Sequence, residues 1–540
     1  MGNTSFTKNT LTFHTEECYT GKKQGIHSHI RQTSAFRNPI MISGGSNMKE
    51  RHTHKKHLTA LVLAALLTGS AFVSCGGSEP ETMPAEQNTA RTETPPTPET
   101  DYLETLPQTG YAGETFTIIG EDTAQRPNFD QGESTGDAFN DVLFHRRILV
   151  ENLYDIVIEQ KSMPDRGSSN NEVQRSVLAD ESVYDLVSNP FIQGSAVLMV
   201  NNLLRDMKTL PTVDFGNDWW AQNVVEHFMV NDRMYLTTGT LSPSYFLSAT
   251  AVLYNTELAA QYQLGDLPAL VQEGGWTLDA MQSMMQTSTH DLNGDGVIDE
   301  KNDLIGAITT SESGRALFVA AGGTLIEKQG DTYVLDMASA RNVDIMDTLH
   351  GIFANALDSA YWVADSITSG KNDVFEQNHS MFTVTTLMFV SAELRDMEMD
   401  YGILPLPKWD TAQENYITPG NPFCPCAVCV PKTCSNPELT GLVLETLAYL
   451  GHRDVQPVMY DTVLKGKVAR DQSSAAIMEI IYADVSFDFN SAFDLSGTMT
   501  ALRSYVVGSA DNFISTYESK KTAARAELDK ILGQMQELTE

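Results

Sequence analysis

GETFTIIGED, residues 113–122, contains a short apolar strand, Phe116–Ile119, and then a loop that carries Glu121 and Asp122. Asp137 caps the helix that follows, in which Phe139, Val142 and Leu143 recur at helical spacing and which runs to about Leu153. Ile156–Ile158 forms a second buried strand, and a helix capped near Ser169 comes after it. Tyr184–Ser188, YDLVS, is a third strand and Ser195–Met207 a third helix. Strand and helix alternate, and that order predicts an α/β fold in which a mostly parallel sheet has helices on both faces. Ligands of such sheets bind beyond the carboxyl ends of the strands, which singles out Glu121, Asn189 and Phe191; plain loop capping is the other reading of the same residues.

Upstream lies a different kind of sequence. His57–Gly77, HLTALVLAALLTGSAFVSCGG, follows Lys49, Arg51, Lys55 and Lys56, and Leu58–Val73 contains sixteen residues without a charge. A basic stretch, an apolar run and small residues before a cysteine have the order of a secretory signal, and the run is shorter than the ~20 residues of a membrane-spanning helix. Phe72, Val73 and Ser74 before Cys75 resemble a bacterial lipobox, which implies that Cys75 is the lipid-modified first residue of the mature chain, carrying acyl groups such as palmitate. The expected division is an upstream extension at 1–47 that is not native, a lipoprotein signal at 48–74 with translation starting at Met48, and a disordered tether at 75–110 rich in Pro, Thr and Glu.

Charge narrows the possible partners. Of 36 basic and 70 acidic residues, nine and three precede Cys75, which leaves the mature chain at −40. A surface this acidic does not bind nucleic acid by neutralising phosphates and is repelled by an anionic bilayer, so attachment to a membrane falls to the lipid.

The middle of the chain carries Asp218-Trp219-Trp220, VLYNTEL at Val252–Leu258, Gly275-Trp276-Thr277 at the start of a helix, DLNGDGVID at Asp291–Asp299 and DYGILPLPK at Asp400–Lys408. In this order and spacing the chain, from about Tyr111 to its end, resembles the family 1 extracellular solute-binding proteins of ABC importers, the group that includes maltose-binding protein. The resemblance implies the two-lobed, type II periplasmic-binding-protein fold, with a multi-strand hinge and a ligand held between lobes. It divides the body into lobe 1, residues 111–245 plus 405–450, and lobe 2, residues 246–404 plus 451–540. The chain would cross near Leu241–Val252, return near Tyr401–Pro405 and cross again around Ala448–Asp461. It places Tyr245, Ser311, Ser313, Thr386 and Phe389 at the cleft, while Trp362, in a polar stretch, is a candidate platform for the apolar face of a sugar. The partners implied are a small solute, most readily a carbohydrate, and the permease subunits of an importer, at the outer face of the cytoplasmic membrane.

DLNGDGVID has a chemistry of its own. Asp291, Asn293 and Asp295 stand at positions 1, 3 and 5 of a calcium loop, Gly296 at 6, the Val297 carbonyl at 7 and Asp299 at 9. Position 12 is Asn302, so the closing carboxylate would have to be Asp303, one residue late; a structural calcium and an unoccupied Asp/Gly turn are the two readings. Four cysteines, Cys424, Cys426, Cys429 and Cys434, fall within FCPCAVCVPKTC, a spacing unlike paired zinc knuckles, so a disulfide or buried free thiols are preferred to a metal.

No G-x-S-x-G, HExxH, P-loop or G-x-G-x-x-G stands in its required context. The expected function is therefore a lipid-anchored solute receptor without catalysis or organic cofactor. A secreted carbohydrate-active enzyme and a calcium-stabilised surface adhesion protein are the alternatives.

Overall fold

The computed structural model describes residues 101–121, 129, 132–330, 332–354, 360–362, 373–392, 399–424, 426–465, 472–483, 485–508 and 510–537. The signal, Cys75 and most of the tether lie outside them. Among the described residues no helix is long and apolar enough to cross a membrane.

The first lobe is built as β1 (Glu114–Glu121), α1 (Ala138–Tyr154), β2 (Ile156–Met163), α2 (Arg166–Leu178) and β3 (Leu186–Asn189). β1 lies between β2 and β3 and runs parallel to both, with Glu114 opposite Ile156 and Ile118 opposite Leu186. Phe116, Ile118 and Ile119 are wholly buried, as an apolar run inside a sheet covered on both faces must be. The Asp137 side chain accepts the N–H groups of Phe139 and Asn140 and so caps α1. Asp165, not Ser169, caps α2, and Ser169 is buried within it. The third helix is also shorter than its sequence suggests: α3 covers only Ala196–Val200. Gln193 before it (φ +58°) and Asn202 after it (φ +57°) take left-handed backbone angles, which interrupt the helical hydrogen-bond series on either side.

The second lobe contains β4 (Thr250–Asn255), β5 (Ile305–Thr309), a hairpin of β6 (Glu327–Gln329) and β7 (Thr332–Val334), β8 (Ala360–Trp362), β9 (Ser380–Thr386) and β10 (Tyr401–Leu404). Its five-stranded sheet has the order β10-β4-β9-β5-β8. β5 is parallel to β8 and β9, whereas β4 is antiparallel to β9 and β10, so this sheet is mixed. Later come β11 (Thr418–Pro419), β12 (Ala427–Cys429) and β13 (Val485–Ser486). β12 adds antiparallel to β3 and completes the first sheet as β12-β3-β1-β2.

The path between the sheets differs from the expectation at the return. Tyr401–Pro405 is not the return crossing: β10 is an edge strand of the second sheet, and the chain stays there for another fifteen residues or so. The Trp276 indole donates to the Pro405 carbonyl at 2.8 Å, Leu278 N–H donates to the Lys408 carbonyl at 2.8 Å, and β11 pairs with β13. The return comes at residues 420–424, where Gly420 bridges to Ala249, Asn421 N–H donates to the Ser248 carbonyl and Ile192 N–H donates to the Pro422 carbonyl. The apolar LPLP run, attractive as a hinge, is instead buried by docking under Trp276.

Beside this return the lobes share aromatic core. Phe191 stacks on Phe487 at 4.7 Å, Phe228 meets Phe489 at 5.7 Å, and Tyr333 of β7 lies 4.5 Å from Phe489. All five rings are buried. The last helix, Phe513–Glu537, buries Leu528, Ile531, Leu532 and Met535, one stripe at helical spacing.

Order begins earlier than Tyr111. Tyr102–Thr105 is a short 3₁₀ turn whose Tyr102 ring lies 4.7 Å from Trp219 and 5.3 Å from Tyr449. Tyr102, Trp219 and Trp220 all donate to the Glu445 carboxylate, at 3.1, 3.0 and 3.1 Å, and Asn217 does so at 2.8 Å. The Asp-Trp-Trp motif thus serves packing and anchors the start of the body, because a buried carboxylate must collect several donors to replace water.

Candidate functional site

The carboxyl ends of β1 and β5 are linked by side-chain contacts that pass through the returning segment. β1 ends at Glu121, whose N–H donates to the Asn189 side-chain oxygen at 3.0 Å. Asn189 itself is fully buried and donates to Ser169 and Asn170, so its work is to hold the end of β1 against the start of α2. The first residue of α2, Arg166, places its guanidinium 3.5 Å from the Glu121 carboxylate and 5.8 Å from the centre of the Phe423 ring. From the second lobe Arg503, in the helix Thr498–Val506, lies 5.1 Å from the same ring centre. Phe423 belongs to the return crossing, so one aromatic ring is met by an arginine from each lobe.

Behind Arg503 the helix Ser311–Ala320 begins, capped by Thr310, whose hydroxyl accepts Ser313 N–H. Arg503 donates to the Ser311 hydroxyl at 2.9 Å and pairs with Glu312 at 3.3 Å. Glu312 is buried and also binds Arg315 at 2.6 Å, while Arg315 donates to the Gly420 carbonyl at 3.0 Å. A continuous series of contacts therefore runs Glu121, Arg166, Phe423, Arg503, Glu312, Arg315 from one lobe to the other. Burial pushes the carboxyl of Asp488, close enough to Arg315 to feel its charge, above the usual range.

Of the residues singled out from sequence, Glu121 and Ser311 join this series. Phe191 is fully buried against Phe228 and Phe487. Ser313 is turned inward, donating to the Val384 carbonyl at 2.8 Å, and so ties its helix to β9. Tyr245 lies at the first crossing with its ring 5.3 Å from Phe246, and Thr386 and Phe389, at the end of β9 and in the helix Leu387–Ala392, are buried. Trp362 ends β8, and its side chain lies outside the described residues. The residues that sequence reasoning passed over are Arg166, Phe423, Arg503, Glu312 and Arg315. One signal was available: an arginine opening a helix is disfavoured by the helix dipole, so Arg166 directly after the Asp165 cap stands out as a residue with another task.

Residues 291–303 close on themselves. Asp291 accepts Gly294 and Gly296 N–H at 2.6 and 2.8 Å, Asn293 accepts Asp295 N–H, Asp295 accepts Val297 N–H, and Asp299 accepts the N–H groups of Lys301 and Asn302. Asp303 is fully buried and accepts Leu292 and Asp299 N–H at 2.8 Å each. Arranged this way the donors expected for calcium are turned to backbone amides. Among the described residues no group of three or more His, Cys, Asp or Glu side chains is placed to hold a metal ion. Cys424, Cys426, Cys429 and Cys434 are buried thiols not joined in disulfides; burial raises the pKa of Cys429 to about 12 and that of Cys426 well above the ordinary thiol value, which leaves both inert small apolar side chains.

No protein-family model matches the chain, and no curated protein matches it in sequence. Solved structures do match. The cyclic α-maltosyl-1,6-maltose binding protein from Arthrobacter globiformis superposes with a TM-score of 0.51 at 11% identity, over 77% of this chain and 99% of its own. UspC from M. tuberculosis superposes with a TM-score of 0.50 at 14% identity, over 76% of this chain and 100% of its own. Each neighbour is spanned almost end to end, and the likeness is one of architecture: the chain has the two-lobed, type II periplasmic-binding-protein fold.

Proposed function

We propose that this protein is an extracellular solute receptor of an ABC importer, anchored by lipid at Cys75, which closes its two lobes on a sugar or oligosaccharide and delivers it to a membrane permease. The observation that carries the reading is the pairing of Glu121 and Arg166 on one lobe with Ser311, Glu312 and Arg503 on the other across Phe423. Carboxylates and guanidinium groups are bidentate partners for vicinal hydroxyls, and a cleft between lobes removes a small ligand from water. One neighbour of the same fold, by its name, binds a cyclic maltosyl-maltose, which supports a saccharide ligand. A receptor of this kind responds to its ligand only as far as the ligand prefers the closed form, so closure is the quantity to observe.

A thermal-shift screen of the full chain against neutral and acidic oligosaccharides, with chromatography of the same mixtures, tests the proposal. The expected result is a rise in Tm with at least one saccharide and no product. Turnover of the stabilising saccharide would replace the receptor by an enzyme, and stabilisation by peptides alone would remove the carbohydrate.

A further inference from the structure

Arginine is scarce where this cleft uses it most. After Cys75 the chain holds 27 basic residues against 67 acidic ones, from the 36 and 70 of the whole sequence, yet three guanidinium groups gather at the lobe junction. Arg315 is spent internally, on Glu312 and the Gly420 carbonyl. Arg166 is not. Its contacts to Glu121 and to the Ile192 carbonyl are both 3.5 Å, long beside the about 2.7–2.9 Å of a charge-assisted hydrogen bond, and its side chain keeps 22% of its accessible surface. Arg503 approaches the same Phe423 ring from the opposite lobe with 17% of its surface accessible.

The acceptors of the cleft are incomplete as well. Glu121 Oε2 and Glu312 Oε2 face Arg166 and Arg503 only as ion pairs, at 3.5 and 3.3 Å, and neither oxygen accepts a hydrogen bond. Such an oxygen calls for a donor. Hydroxyl groups of a ligand supply donors to these carboxylates, and an anionic group supplies Arg166 with a closer acceptor than its two 3.5 Å contacts; a ligand with both features answers both needs at once.

We infer that the solute is an acidic saccharide, a sugar bearing a carboxylate or comparable anionic group, with the anion seated between Arg166 and Arg503 beside Phe423 and its hydroxyls on Glu121 and Glu312. This rests on the carbohydrate reading above and narrows it. The carboxylates that oppose the anion are Glu121, Glu312 and Asp488. The first two pair with Arg166, Arg503 and Arg315, and Asp488, which feels the charge of Arg315, caps the helix Phe489–Phe493. Closure brings one arginine of each lobe to a single ring, a like-charge approach that an anion between them offsets. The charge of the ligand is thereby coupled to closing, because the open form separates the two arginines and holds the anion less well.

Calorimetry on the full chain with matched pairs, trigalacturonate against galactotriose and glucuronate against glucose, reads this directly, repeated with Arg166→Gln and Arg503→Gln and at two salt concentrations. The acid of a pair should bind at least tenfold tighter than its neutral partner, lose affinity as salt rises, and lose the preference itself in either variant. Loss of both acid and neutral binding in equal measure would mark a structural role for the arginines and sink the inference, as would a wild type that binds neutral saccharides as well as acidic ones; the latter leaves the carbohydrate reading standing. Citrate or phosphate bound through Arg166 and Arg503, with every saccharide silent, would uphold the anion seat and overturn the carbohydrate. Should a variant fail to fold, the acid-to-neutral ratio of the wild type and its salt dependence decide alone. Silence with every probe overturns both.

Discussion

Asp185 shows how a single side chain can carry a measurable pH response without touching the cleft. Its carboxylate accepts Thr117 N–H at 2.8 Å and its own N–H donates to the Thr117 carbonyl at 2.9 Å, which extends the pairing of β3 with β1 by one step. Burial pushes its pKa up to about 6, with the nearby Glu114 charge acting in the same direction. A folded state that holds the proton more tightly than the unfolded chain, where Asp titrates at about 3.9, is favoured fully below that value and loses the advantage as pH rises through about 6. Asp185→Asn keeps the acceptor and removes the charge. It should raise stability at about pH 7 by about 1–2 kcal/mol and leave it unchanged at about pH 4, read as denaturant midpoints at the two pH values. Equal midpoints for variant and wild type at neutral pH would show that water reaches this carboxylate in the folded state. Asp185 was legible from sequence only as a member of YDLVS; its burial comes from the β1 neighbour, which no local pattern reveals.

Among the elements, the returning segment and the short β13 beside it do most to set how the lobes meet. Gly420 is where this matters: a Cβ there would lie 2.1 Å from the Phe487 ring, so only glycine lets the return pass under it. Phe487 in turn stacks on Phe191 of the first lobe, which is why Phe191 is core and not a ligand platform. Phe487→Ala should lower stability by about 3–5 kcal/mol, the range for emptying a buried aromatic site. Because the two rings touch, Phe191→Ala and Phe487→Ala should be non-additive, with a coupling of at least about 0.5 kcal/mol in a double-mutant cycle of denaturant midpoints. Additive losses would mean that the lobes are not joined through this pair. Helices and strands of the first lobe were readable because their period and caps are local: Asp137 before Phe139, Val142 and Leu143 is a helix start in sequence and in space. The third helix was not, since Gln193 and Asn202 adopt left-handed angles that their side chains tolerate but do not demand.

For the whole molecule, the body starts at a clamp. Tyr102 packs between Trp219 and Tyr449 and bonds to Glu445, and Asp101 accepts hydrogen bonds from Tyr449 and Arg453 at 2.9 Å each. Cys75→Ala should shift the protein from the membrane to the soluble fraction and abolish incorporation of labelled palmitate, while saccharide binding stays within about twofold of wild type, a change below 0.5 kcal/mol. An unchanged membrane fraction would refute the anchor and leave the two-lobed body untouched.

The alternation of strands and helices, the charge of −40 after Cys75, the caps of α1 and the order of motifs from Asp218 to Lys408 were carried by the sequence alone, and they were enough for the α/β class and the two-lobed architecture. The strands, helices and caps depend on side chains a few residues apart, so spacing is sufficient to read them, whereas the two lobes were implied by the family resemblance that the motif order carries. Where the chain returns between sheets, and which side chains face the cleft, only the tertiary structure decided. Arg166, Phe423 and Arg503 come from the start of a helix, a crossing and a helix near the end of the chain, and they meet only after both sheets have formed and the return has passed beneath Phe487. No periodicity relates such positions; the packing of the two lobes does.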